Sequence, residues 1–79
     1  MSPTIFQGRG FRFFFFSREE RRMHVHAIGP RGEAKFWLEP EVELARNYRL
    51  TATELRLVKE LIEEHEDEIK AAWRKHFGR

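Results

Sequence analysis

The stretch Phe11-Arg12-Phe13-Phe14-Phe15-Phe16-Ser17 sets the tightest limit on what this chain can fold into. In a strand, successive side chains point to opposite faces of the sheet. Phe11, Phe13 and Phe15 then point one way; Arg12, Phe14, Phe16 and Arg18 point the other. Both faces carry rings, so a sheet with one dry and one wet side does not suffice. Burying a large aromatic side chain is worth roughly 1.5–3 kcal/mol. Leaving Phe14, Phe16 and the later Trp37 in water would forgo about 5–9 kcal/mol, comparable to the whole stability of a small domain. The second face is therefore expected to be covered. A second copy of the chain, a different protein, nucleic acid stacked on the rings, or residues 17–23 or the N-terminal segment folding back could each supply the cover.

The rest of the chain fills in the sheet. Thr4–Gln7 reads as a short strand and Gly8-Arg9-Gly10 as its turn. Phe11–Ser17 is the second strand and Arg18–Arg22 a charged loop. Met23–Ile28 alternates and stops at Gly29-Pro30-Arg31-Gly32, a strong turn signal. Glu33–Glu39 is a further strand ended by Pro40, and Val42–Arg46 a last one, with Val42 and Leu44 alternating with glutamates. Matching apolar sets places Phe13, Val25 and Phe36 on the core face. The opposite face then gathers Arg12, Phe14, Phe16, His24, His26, Lys35, Trp37 and Glu39.

After Asn47 the period changes. Residues 55, 58, 62, 65, 69, 73 and 76 fall on one helical stripe. Thr51-Ala52-Thr53-Glu54 has the pattern of a capping box, and Gly78 sits where helices stop. The stripe persists through the charge run Glu63–Glu68, which predicts one helix over 51–77, about 39 Å long. A break near His65 into two helices is the alternative. The fold class is α+β: an antiparallel sheet of four to five strands (residues 1–46) with the helical segment 51–77 on one face, in a single domain spanning 1–79.

Composition narrows the function classes. There is no cysteine, so disulfides cannot hold the fold and any metal would rest on His, Asp and Glu. No apolar run approaches the ~20 residues of a membrane span, and Met1-Ser2-Pro3-Thr4 lacks the layout of a signal peptide. The expectation is a soluble cytoplasmic protein with no membrane partner. Residues 1–36 hold seven basic and three acidic residues, net +4; residues 37–79 hold eight basic and ten acidic, net −2. The basic half is also the aromatic half, which suits an anionic partner such as RNA or an acidic protein surface.

His24-Val25-His26 is the constellation that hints at chemistry. Two residues apart on a strand, both imidazoles project from the same face. That spacing occurs in zinc and other divalent-metal sites, with Glu33 and Glu39 as further donors within reach. It also suits acid–base cleavage of RNA, with Arg12 and Lys35 steadying a phosphate. The plainer readings are an interface or structural hydrogen bonds. Gly8-x-Gly10 lacks the longer glycine pattern and following helix of a phosphate loop.

Pro3-Thr4-Ile5-Phe6, Gly10-Phe11-Arg12-Phe13-Phe14, Ser17, His24-Val25-His26 and above all Ala34-Lys35-Phe36-Trp37-Leu38-Glu39-Pro40 resemble the bacterial domain of unknown function 4160 family. The chain departs from the family pattern at Met23, where a proline is usual, and at Arg49, where glycine is frequent. The resemblance implies a small stand-alone bacterial or archaeal protein, encoded beside another small protein in what looks like a toxin–antitoxin pair. It implies no particular reaction. Arg12, His24, His26, Lys35, Trp37 and Glu39 match the family's motifs. The leading expectation is a binding module: Phe14, Phe16 and Trp37 anchor a partner protein or a second copy, Arg12 and Lys35 set the charge, and Glu39 is a further binding residue. A ribonuclease using His24 and His26 and a His-x-His metal-binding protein are the alternatives.

Overall fold

Two glycine-bearing turns, one proline and the charged segment before Met23 cut the N-terminal half into five strands. In a computed structural model, which describes residues 4–16 and 21–78, these are β1 (Thr4–Gly8), β2 (Phe11–Phe14), β3 (His24–Ile28), β4 (Glu33–Trp37) and β5 (Glu43–Tyr48). They form one antiparallel sheet in the order β1-β2-β3-β4-β5. Each strand pairs with its sequence neighbour, the common arrangement for consecutive strands. Arg9 and Gly10 link β1 to β2 with φ of 52° and 88°, the two positive values that a two-residue hairpin needs to match strand twist. Gly29 donates its N–H to the Gly32 carbonyl at 2.9 Å and closes the next turn. Pro40 ends the run that follows Trp37. Ser17 and Arg18–Glu20, expected to finish the second strand and open the charged loop, lie outside the described residues, as does Pro3.

The inner face carries Phe13, Val25, Ala27, Ala34 and Phe36, all buried. Two helices cover it, α1 (Ala52–Glu64) and α2 (Glu66–Phe77). Val58, Leu61, Ile62, Ile69 and Trp73 supply their buried stripe and join the same core cluster. The expected capping box is present: Glu54 N–H donates to Thr51 Oγ1 at 3.1 Å, and Thr51 N–H donates to Glu54 Oε1 at 2.9 Å. Gly78 ends α2 with φ 73° and donates to the Arg74 carbonyl.

One uninterrupted helix is not what forms. His65 has φ −113° and ψ 19°, outside the helical range, and separates α1 from α2. Its ring explains the stop. The Nδ1–H donates to the Leu61 carbonyl at 2.9 Å, and the imidazole stacks on Phe6 with centroids 4.1 Å apart. Glu66, Asp67 and Glu68 then occupy the first turn of α2, where the helix dipole favours negative charge. Part of the charge run is thus a helix start, and Glu63, Glu64, Asp67 and Glu68 are exposed.

Two bulges adjust the sheet edges. Between Thr4↔Phe14 and Phe6↔Phe13, β1 spends one extra residue, Ile5. Between Lys35↔Arg46 and Phe36↔Leu44, β5 spends Ala45. The last strand therefore begins at Glu43 rather than Val42 and runs to Tyr48, and β4 stops at Trp37 rather than Glu39. Arg49 follows in the left-handed region, φ 69°, where glycine is the easier residue.

Candidate functional site

Strand pairing fixes which side chains share the outer face. Phe14, His26, Lys35 and Arg46 are successive register partners across β2, β3, β4 and β5 and form one transverse row. Arg12, Ile28, Glu33 and Tyr48 form the row beside it. His24, Trp37 and Glu43 form a third at the opposite end. The expected gathering of Arg12, Phe14, His24, His26, Lys35 and Trp37 on one side of the sheet follows from this register.

Their surroundings differ from expectation in two places. Phe14 is not an exposed anchor: it retains 4% of its surface. The Arg12 guanidinium lies over its ring at 5.1 Å, His26 stacks beside it at 5.5 Å, and Phe16 meets it edge-on at 5.2 Å. The chain itself thus covers much of the second aromatic face, so the case that a partner must do so is smaller than the sequence implies. His24 is likewise not on an open surface; it is fully buried. Its Nδ1–H donates to the Arg22 carbonyl at 2.7 Å, and its ring contacts Trp37, His26 and, from α2, Trp73.

The burial of His24 bears on chemistry. A two-imidazole cleavage needs both rings at the substrate, and here His26 alone of the pair is partly exposed. A metal site needs free nitrogen donors converging on one point. The ring centroids of His24 and His26 are 5.2 Å apart with 81° between their planes. Among the described residues no group of three His, Asp or Glu comes together. Among the described residues the two imidazoles have no third donor beside them, so they do not make up a zinc site by themselves.

What remains open is aromatic and cationic. Phe16 is 45% exposed and Tyr48 59%. Trp37 is half-buried, with the Arg22 guanidinium 4.2 Å and the Lys35 ammonium 4.5 Å from its ring centre. Arg22 also donates from Nε to the Glu39 carbonyl and stands 3.8 Å from a Glu43 carboxylate oxygen. Glu39 itself is exposed in the loop after β4 and meets this cluster through its backbone. A cleft of about 340 Å³ opens between Phe16, His26, Glu33, Lys35, Arg46 and Tyr48.

Arg46 and Tyr48 were not expected here, and the reason is local. Counting alternately from Val42 and Leu44 puts residue 46 on the inner face. The extra residue at Ala45 reverses the parity and turns Arg46 and Tyr48 outward. No glycine or proline marks the bulge. Leu44 keeps its inner register opposite Phe36 yet is exposed, because β5 is the sheet edge. Arg22 was legible only as part of a charged loop.

No described helix is long and apolar enough to cross a membrane. No curated protein and no solved structure matches the chain. Residues 10–74 do match the family described as Domain of unknown function (DUF4160). That span takes in β2 through most of α2 and every outer-face residue named above, and the protein belongs to this family.

Proposed function

We propose that the protein is a small binding module whose working surface is the outer face of the sheet. One observation carries the reading: two exposed rings, Phe16 and Tyr48, stand on a face that also presents Arg12, Lys35 and Arg46. Exposed aromatics flanked by arginine are the residue types that concentrate binding energy at interfaces. The buried stripe of the two helices packs on the opposite, inner face of the sheet.

The toxin–antitoxin-like setting comes from the family resemblance and names the first partner to try, the product of a neighbouring gene. A second copy of the chain is the simplest alternative occupant. The test is copurification of tagged protein with that neighbour, together with light scattering of the protein alone. Phe16→Ala and Tyr48→Ala should weaken whichever association is found, while Arg56→Ala on the exposed side of α1 should not. Equal association in all three variants would remove the outer face from the reading.

A further inference from the structure

The cleft has an electrostatic oddity. Lys35 and Arg46 are direct register partners on one face, and His26 partners Lys35 on its other side. Like charges placed directly opposite across strands are destabilising. The Lys35 ammonium lies 4.5 Å from the Trp37 ring centre, and Lys35 and Arg46 both line the cleft. Arg46 is exposed, and among the described residues no carboxylate lies within ion-pair distance of it. A cleft of about 340 Å³ also lies near the lower end of the range for small-molecule sites.

We infer that this cleft seats one nucleotide of a single-stranded nucleic acid, with the phosphate against Lys35 and Arg46 and the base against the rings of Tyr48 and Phe16. The inference rests on the binding-module reading and names its ligand. Three features favour a nucleotide over an acidic peptide. Tyr48, with the Arg49 guanidinium 5.5 Å from its ring centre, and Phe16 remain exposed, and every base has a flat face to stack on such rings. The cations sit in one row rather than along a groove, which suits one phosphate rather than a run of carboxylates. Glu33, the register partner of Tyr48, lines the same cleft. Its carboxylate can accept from the N–H donors on a base edge, a role that an acidic peptide side chain has no donor to fill. A duplex hides its base faces, so a single strand is required.

The experiment is fluorescence anisotropy of a labelled mixed-sequence eight-nucleotide RNA or DNA strand, against the same sequence as a duplex, from 50 to 200 mM salt. The single strand should bind more tightly than the duplex and weaken steeply with salt. Tyr48→Ala should weaken it about tenfold, the loss of one stacked base, while Tyr48→Phe keeps most of the affinity. Arg46→Ala should lower the slope of log K against log salt by about one. Lys59→Ala removes the same charge from the exposed face of α1 and should change little. Equal duplex binding, indifference to Tyr48→Ala, or an equal loss in Lys59→Ala overturns the inference. So does binding of a deca-glutamate peptide in place of the oligonucleotide. If that peptide or a partner protein binds with the same dependence on Tyr48 and Phe16, the nucleotide is wrong and the outer-face reading stands. If the outer-face variants alter no binding at all, both fall.

Discussion

The imidazole of His24 lies against the indole of Trp73, with 5.2 Å between ring centroids and 62° between planes. One residue opens β3 and the other sits in the last turns of α2, so the contact ties the outer-face register of the sheet to the helical layer. His24 is held there from three sides, by Trp73, by Trp37 and by its hydrogen bond to the Arg22 carbonyl. That makes it a structural residue in the first instance. His24→Ala should destabilise the fold by about 2–4 kcal/mol, through a cavity and an orphaned carbonyl. His26→Ala, at a partly exposed position, should cost clearly less. Urea unfolding of the two variants checks this, and equal stabilities would mean that His24 is not packed as described.

Phe16 offers the cleaner probe of the outer face. Trp37 is half-buried and in contact with His24, Arg22 and Lys35, so its removal disturbs packing as well as any interface. Phe16 is 45% exposed and leans on Phe14 and His26 by its edges. Phe16→Ala should cost under about 1.5 kcal/mol of stability, since little of the ring's transfer free energy is at stake. It should nevertheless weaken binding to the outer face. A thermal melt and a binding measurement on the same preparation separate the two effects; a collapse of the melt with binding per folded molecule intact would count against Phe16 as an anchor.

Sequence pattern reached the backbone more securely than the surface. Period-two alternation in Phe11–Phe14, His24–Ile28 and Glu33–Trp37 specified both faces, because a one-residue slip would have moved every core ring into water. The capping box at Thr51 was legible because both hydrogen bonds depend on spacing alone. The break at His65 was legible only as the alternative to one long helix, since a single non-helical residue leaves the apolar stripe in phase on either side. The reversal of β5 was not, since the bulge at Ala45 has no glycine to announce it. Alternation gave the direction of Phe14 but not what lies above it. Arg12 and His26 cover that ring, and nothing in the alternation distinguishes a lid from a binding group.

The start of α1 supplies a prediction with a narrow range. Thr51 and Glu54 exchange two hydrogen bonds that satisfy otherwise unpaired N–H groups at the helix end. Thr51→Ala removes the side-chain acceptor and should cost about 1 kcal/mol. Thr51→Ser keeps the hydroxyl and should be close to neutral. The denaturant midpoint resolves the pair; equal losses in both variants would assign the effect to the Thr methyl rather than to the cap.

Gly32 is fixed by space rather than by backbone angle. A Cβ built there would lie 2.0 Å from the Tyr48 carbonyl oxygen and 2.9 Å from Arg49 Cβ. The obstruction is backbone, so a rotamer change cannot relieve it, and the β3–β4 turn or the end of β5 must move. Gly32→Ala should therefore destabilise by about 1–3 kcal/mol. Because Tyr48 borders the cleft, the shift should also weaken binding there. Gly10 is the contrast: its φ is +88° but a Cβ would meet nothing within 4 Å. Gly10→Ala should cost only the conformational strain, about 1–2 kcal/mol, with the cleft unaffected. Measuring unfolding and cleft binding for both variants distinguishes collision from strain. If Gly32→Ala leaves binding unchanged while Gly10→Ala does not, the close approach of the turn to β5 is wrong, and with it the placement of Tyr48 beside Glu33.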